Sequence, residues 1–197
     1  SALPATDQVN DFKYSGVHWL GANPQVTYWV NPLNPWSLAD ADTVSVVQTA
    51  FNEWVNHQTD GDSNVNFVYG GLTVAEVSAN PVRDGLNTAS FESLNSTYPN
   101  AIAITFYWYN RITKGIVEAD TVFNSDLSWS INPYGAVFSG SYDLQNIATH
   151  EFGHWLVLGD LYNNRDSELT MYGYGSTGET KKDTLGKGDI SGIHKAY

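Results

Sequence analysis

Three residues between positions 143 and 160 have the types and spacing of a metal site. They are His150, Glu151 and His154, in the order H-E-x-x-H. On a helix, residues four apart lie on the same face, so both imidazoles can reach one ion from the same side. The carboxylate of Glu151 projects close to that face, where it can act on a water beside the ion. This combination indicates a zinc hydrolase with a carboxylate general base.

The residues around the motif predict a helix independently of it. Apolar side chains recur at helical spacing from position 144 to position 158. Asp143 is placed to cap the amino end, and Gly159 stands where helices commonly stop. The alternative is a core helix with two buried histidines, because H-E-x-x-H also occurs by chance.

A tetrahedral catalytic zinc takes a third protein ligand. Asp160 is ten residues after His150 and directly follows a glycine, so a turn can bring its carboxylate under the ion. His194 is the remaining histidine downstream, but a helix at the carboxyl terminus is a poor place from which to reach the ion. We therefore predict Asp160 as the third ligand, with Asp166 and Glu168 as the alternatives.

The downstream sequence resembles a known clan of metallopeptidases. HEFGHWLVLGD, followed by LTMY, is similar to the extended motif and methionine turn of the metzincins, and Met171 is the only methionine of the chain. Over residues 25–197 the chain is most similar to the matrixins, in DLQNIATHEFGH, IVEADTVFN and DTLGKGDISGIHKAY. Asp at position 160, with Tyr162 after it, resembles snapalysin, a small bacterial protease.

The resemblance implies an α+β, zincin-like fold. Its parts are a twisted, mixed and mostly parallel sheet with an antiparallel edge strand, an active-site helix, a Met-turn and a C-terminal helix. It also implies that Asp189 is the buried acid that braces the turn at Met171. Substrate-binding residues are expected on the segment after that turn and on the edge strand: Tyr172, Tyr174, Ile104 and Phe106.

Two positions depart from the family pattern. The glycine that lets the clan's chain bend toward the third ligand is Val157 here. Gly159 is the only nearby residue free to take a positive φ, so the sequence predicts a bend displaced by two residues. In the closing helix, Gly188 precedes Asp189 where matrixins often carry two acids, so the partner that can clamp a mature amino terminus is missing.

The coarse pattern predicts strands at residues 25–30, 65–69, 72–77, 89–91, 101–109 and 116–124, and helices at residues 37–57 and 189–197. Ser37 with Asp40 resembles a capping box for the first helix. By resemblance, the strand at 101–109 is the antiparallel edge, onto which an extended peptide can add by backbone hydrogen bonds. Its nearly continuous apolar run also permits a buried strand.

Length and composition indicate one domain over residues 1–197, which the resemblance makes a metzincin-type catalytic domain, with residues 1–20 as an extended N-terminal tail. The net charge of −12 disfavours nucleic acids and anionic membranes, and the absence of cysteine excludes thiol catalysis and a disulfide scaffold. No run approaches the roughly 20 apolar residues of a membrane span. We expect a monomer that acts on proteins or peptides, secreted by a bacterium or archaeon, with its signal and any propeptide outside this chain.

A structural calcium ion is a further expectation. Acidic loops suit this hard cation, and Asp84-Gly85-Leu86-Asn87 resembles the D-G-x-N segment of bacterial matrixins. The turn at residues 59–64 has similar spacing but lacks the distal glutamate of an EF-hand loop. A merely soluble acidic surface explains the same composition.

The sequence therefore predicts a zinc endopeptidase. A second possibility is a peptide- or surface-binding module on the same fold, with the metal lost or structural, because Val157 can misplace the third ligand. A third is a zinc hydrolase that acts on a non-peptide amide.

Overall fold

A computed structural model describes residues 9–58, 64–131 and 140–197 of the protein. Within these ranges, one sheet contains β1 (Gln25–Val30), β2 (Asn66–Leu72), β3 (Thr88–Glu92), β4 (Ala103–Tyr109) and β5 (Ile116–Asn124). The strand order is β2-β1-β3-β5-β4, and β4 is antiparallel to β5 while the other neighbours are parallel. The predicted mostly parallel sheet with an antiparallel edge strand is confirmed.

Three α-helices accompany the sheet in the described part of the chain: α1 (Asp40–Asn56), α2 (Leu144–Trp155) and α3 (Lys187–Ala196). Two short parallel strands, β6 (Trp129–Ser130) and β7 (Tyr142–Asp143), pair just before α2. None of the helices in these ranges is long and apolar enough to cross a membrane.

Aromatic packing fixes α1 against α2, the helix that carries the H-E-x-x-H motif. The ring of Phe51 stacks on Phe152 with centroids 3.7 Å apart and meets Trp155 edge-on. Trp54 is fully buried, and its indole N–H donates to the backbone oxygen of Thr149 over 2.7 Å. These buried side chains recur every three or four residues along each helix, which is why the two helices form and why they face each other.

Two elements differ from the sequence prediction. Helix α1 begins at Asp40 instead of residue 37, and its N-cap is Ala39 without a side-chain hydrogen bond, so the predicted capping box is wrong. The side chain of Asn34 organises this turn instead, because its Oδ1 accepts the N–H groups of Trp36 and Leu38. Ser37 lies within this turn and has a φ of 57°.

The strand predicted at residues 72–77 is also wrong beyond Leu72, where β2 ends. The residues after Leu72 are held by hydrogen bonds to two side chains, and not by pairing with a strand. Asn31 donates to the carbonyl of Ala75, and the hydroxyl of Ser90 accepts from the N–H of Val77. The turn predicted at residues 59–64 lies almost wholly outside the described residues.

The amino-terminal segment packs against the end of α2. Trp19 is buried, and its indole N–H donates to the carbonyl of Trp155 over 2.9 Å. The carbonyl of Lys13 accepts the N–H of Gly159 over 2.9 Å. Over these residues the expected tail is therefore part of the structure beside the motif helix.

Candidate metal centre

Helix α2 begins as the sequence predicted. Asp143 is its N-cap, and the Oδ2 atom accepts the N–H of Asn146 over 2.9 Å. From this fixed start, His150 and Glu151 are buried and His154 is partly exposed. All three line one cleft of about 500 Å³ that β4 borders.

The helix ends four residues before Gly159, at Trp155. The N–H of Leu158 donates to the carbonyl of Gly153 and the N–H of Val157 donates to that of His154, over 3.1 and 2.9 Å. This pair of bonds is a Schellman motif, in which the residue after the C-cap is left-handed and is usually glycine.

Val157 is that left-handed residue, with a φ of 61°. The predicted displacement of the bend to Gly159 is therefore wrong. Val157 has the positive φ, and Gly159 does not. A β-branched side chain in this region costs about 1 to 2 kcal/mol, which the surrounding contacts offset. Gly159 instead leaves room for Lys13, because a Cβ at position 159 would lie 3.2 Å from the Cβ of Lys13.

The bend brings Asp160 to the two histidines. Its Oδ1 lies 3.2 Å from Nε2 of His150 and 3.4 Å from Nε2 of His154. Ligand atoms from the three residues lie within 4.8 Å of one another, so the group could hold a metal ion. Ligands at the usual zinc distances on a tetrahedron are about 3.3 to 3.5 Å apart, which matches these separations.

Both imidazoles present a lone pair to this point. Nδ1 of His150 lies 2.7 Å from the carbonyl of Thr170, and Nδ1 of His154 lies 2.8 Å from that of Leu158. A carbonyl can only accept, so in each neutral ring Nδ1 carries the proton and Nε2 is free to bind a metal. Oδ1 of Asp160 is buried and accepts no hydrogen bond from the described residues. Three acceptors that face each other without a proton fit a cation.

Electrostatics at the three residues agrees with this geometry. Burial alone would lower the pKa of His154, but contact with Asp160 and the charge of Glu151 raise it to about 9. Burial alone would raise the pKa of Asp160, but its contacts with the two histidines hold it below the usual range. Positive charge between these side chains is therefore favoured, whether a proton or a metal carries it.

A buried turn under the site contains Met171. The carboxylate of Asp189 accepts the N–H groups of Thr170, Met171 and Gly186 over 2.8, 3.0 and 2.9 Å. Met171 packs directly beneath α2, where a Cβ added to Gly153 would lie 2.2 Å from its sulfur. Asp189 thus contacts the turn that it is expected to brace, and this turn lies against the helix that carries the histidines.

Two of the four predicted substrate-binding residues, Tyr174 and Ile104, line the cleft. Tyr172 and Phe106 are not among its lining residues, and the ring of Phe106 lies on the other face of β4, near Tyr98. The cleft face of the strand carries Thr105 instead, whose hydroxyl lies 2.7 Å from Oε2 of Glu151.

Sequence reasoning missed Thr105 and gave no role to Tyr162. The available signal for Thr105 was its position as the aliphatic hydroxyl within the aromatic run AITFYWY. The hydroxyl of Tyr162 donates to Oδ2 of Asp160 over 3.1 Å, which leaves Oδ1 directed at the histidines. Its ring lies on Gly173, where a Cβ would come within 2.4 Å.

A helix bearing H-E-x-x-H, a third acid on the turn beyond it and an antiparallel edge strand beside the cleft together define a metallopeptidase of the zincin class. The sequence model of the matrixin family matches residues 18–197. The chain therefore belongs to the matrixin family. A search of curated proteins found no match. Family membership implies zinc metalloendopeptidase activity on proteins or peptides.

Proposed function

We propose that the protein is a secreted zinc endopeptidase in which His150, His154 and Asp160 hold one zinc ion and Glu151 is the general base. One observation carries this proposal: Nε2 of each histidine and Oδ1 of Asp160 converge, and the carbonyl contacts at Nδ1 leave Nε2 of each neutral ring as the atom that can bind a metal. Membership of the matrixin family, whose members bind a catalytic zinc, supports the choice of metal.

When bound, zinc supplies a Lewis acid that polarises the scissile carbonyl and acidifies a water. Glu151 is placed to move the protons. Its Oε2 is held by the Thr105 hydroxyl, while Oε1 accepts no hydrogen bond from the described residues and is available to the water. The carboxylate takes a proton from the attacking water and then delivers one to the leaving nitrogen.

Strand β4 is placed to bind the peptide. It is the edge of the sheet and borders the cleft, so its outer N–H and C=O groups can pair with an extended chain. Opposite it, buried Lys182 donates to the carbonyls of Tyr172 and Tyr174, which fixes the segment expected to wall the pocket. Burial lowers the pKa of Lys182 to about 8.

The remaining expectations are part of the same proposal. Matrixin-like proteins are often extracellular, which supports secretion, and we retain a bacterial or archaeal source and a monomer. Structural calcium stays a prediction. The Asp84 side chain accepts the N–H of Leu86 within its own loop, and the N–H groups of Asp84 and Gly85 donate to buried Glu118.

The alternative of a non-catalytic binding module is not favoured. Its motivation was that Val157 can misplace the third ligand, yet Val157 adopts the left-handed turn and Asp160 reaches both histidines. A panel of substrates would distinguish a peptidase from a hydrolase of non-peptide amides. Family membership favours peptides as the substrate.

The test is zinc content together with chelator-sensitive cleavage of a denatured protein. We expect one zinc per chain, and cleavage that a chelator abolishes and zinc restores. Glu151→Gln is the matched control, because it should keep the zinc and lower turnover by at least about 100-fold. Zinc-loaded wild-type protein that cleaves neither denatured proteins nor peptides contradicts the proposed activity, and near-normal turnover in Glu151→Gln refutes the assigned base.

A further inference from the structure

The side chain of Thr105 connects the edge strand β4 to Glu151. Its Oγ1 lies 2.7 Å from Oε2 of Glu151 and 2.8 Å from Oγ1 of Thr121 on β5. Thr105 and Thr121 are direct partners across the two strands, so their side chains project from the same face of the sheet. Thr121 in turn lies 2.8 Å from the indole Nε1 of Trp155, at the end of α2.

The chemistry of the two end groups fixes the direction of this chain of hydrogen bonds. The indole N–H of Trp155 can only donate, so Oγ1 of Thr121 accepts from it. The carboxylate of Glu151 can only accept, and its Oε2 lies closer to Oγ1 of Thr105 than the Glu151 carbonyl oxygen does, at 2.7 against 3.2 Å, so the hydroxyl hydrogen of Thr105 points to Oε2. The hydrogen of Thr121 is then directed to Thr105. Each hydroxyl donates once and accepts once, and the bond to the carboxylate is charge-assisted.

We propose that Thr105 is a positioning residue that fixes the Glu151 carboxylate for proton transfer, a role that rests on the function proposed above. Its hydroxyl holds Oε2 and leaves Oε1 for the attacking water. Because Thr121 and Trp155 orient that hydroxyl, the rotamer of the base is tied to both the sheet and the far end of its own helix.

The position of Thr105 makes this constraint useful to catalysis. The same strand is expected to bind the peptide backbone, so the scissile carbonyl and the base are located relative to one rigid element. Glu151 is buried, whereas Thr105 is partly buried at the cleft, so the contact lies where substrate would cover it. A misplacement of about 1 Å in such an arrangement can cost on the order of 100-fold in rate.

A purely structural role makes a different prediction. Thr121 is fully buried, and each threonine contributes one hydroxyl to the same chain of bonds. If these bonds served only stability, removal of either hydroxyl would lower stability similarly and neither would act on turnover. The positioning role places the kinetic effect at Thr105, since it alone of the two contacts the carboxylate.

The experiment compares Thr105→Val, Thr105→Ala and Thr105→Ser with the matched control Thr121→Val. For each zinc-loaded variant, kcat and KM are measured on a quenched peptide that the wild type cleaves, together with zinc content and Tm. We expect kcat to fall by about 10- to 100-fold in the valine and alanine variants, with KM within about threefold of the wild type. Thr105→Ser should recover kcat to within about threefold, and Thr121→Val should lower it less than Thr105→Val does.

The proposal is overturned if Thr105→Val or Thr105→Ala turns over like the wild type, or if serine fails to rescue a folded, zinc-replete enzyme. If the valine variant does not fold, the alanine and serine pair decides the matter in the same way. These outcomes are distinct from failure of the proposed function, in which the wild type itself shows no zinc-dependent cleavage.

Discussion

The carbonyl oxygen of Thr170 lies 2.7 Å from Nδ1 of His150, while the N–H of the same residue donates to Asp189 over 2.8 Å. The N–H of Met171, which belongs to the same peptide group as that carbonyl, also donates to Asp189, over 3.0 Å. A buried acid near the carboxyl terminus thereby orients the peptide group that fixes the tautomer of a candidate zinc ligand. Asp189 is only 1% exposed, so its three hydrogen bonds to backbone N–H groups have no solvent to replace them.

Asp189→Ala should therefore weaken both stability and metal binding. It leaves three buried N–H groups without a partner, and we expect the free energy of unfolding to fall by about 2 to 5 kcal/mol. Zinc affinity should fall by about 10-fold or more, because the contact that orients His150 is loosened. Chemical denaturation and competitive zinc titration measure the two effects. The exposed substitution Lys195→Ala on the same helix should change neither, and a normal zinc affinity in a folded Asp189→Ala protein would contradict the coupling.

Asp160→Ala should remove the third ligand and leave two histidines. We expect zinc affinity to fall by more than about 100-fold, with no stable one-to-one complex at micromolar zinc. Glu168→Gln is the control, because that side chain is half-exposed and pairs with Lys181 at 3.7 Å. Full zinc retention by Asp160→Ala would reassign the ligand to Asp166 or Glu168, both of which lie on the following segment.

Val157→Gly tests the strain at the end of α2. Glycine relieves about 1 to 2 kcal/mol at a φ of 61°, which offsets much of the roughly 1.5 to 3 kcal/mol lost with the buried side chain. The variant should lose no more than about 1 to 2 kcal/mol and keep its zinc. Val122→Gly, at a fully buried strand position, should cost at least about 2 kcal/mol more. Equal losses at the two positions would show that Val157 is unstrained.

The sequence was most informative where the pattern is local. His150, Glu151 and His154 follow from helical spacing, and the acid cap at Asp143 from the preference of N-cap positions. The mostly parallel sheet with its antiparallel edge strand came from the family resemblance. The bend at Val157 could not be read from propensity, because contacts far along the chain select it. These include the hydrogen bond from the N–H of Gly159 to the carbonyl of Lys13 and the packing of Lys13 against Gly159. The local contact between Nδ1 of His154 and the Leu158 carbonyl adds to them.

The face of the edge strand was equally inaccessible. AITFYWY has no alternation of polar and apolar residues, so the sequence does not say which side chains face the cleft. Of the two residues chosen for substrate binding, Ile104 lines the cleft, whereas the ring of Phe106 lies on the other face of the strand. Thr105 and Tyr107, which were not chosen, also line the cleft. The register between β4 and β5 decides this, and register is a tertiary property.

Asp120, on β5, should make stability depend on pH. Burial, with the charges of Glu118 and Asp84, raises its pKa to about 7, against a usual 3.8, and the bond from Thr88 offsets only part of this. Between about pH 4 and pH 7 the folded protein therefore binds more protons than the unfolded chain. The stability associated with Asp120 is present at low pH and is lost as the pH rises through about 7.

Asp120→Asn should remove that loss, because the amide stays neutral and its oxygen can still accept the N–H of Thr88. Relative to the wild type, the free energy of unfolding of the variant should increase by roughly 1 to 4 kcal/mol more at about pH 8 than at about pH 5. Denaturation at both pH values, with zinc held constant, measures this difference. Asp42→Asn, at an exposed position in α1, should differ from the wild type in free energy of unfolding by the same amount at both pH values. If Asp120→Asn also differed from the wild type by the same amount at both pH values, Asp120 would already be ionised in the folded protein near pH 5.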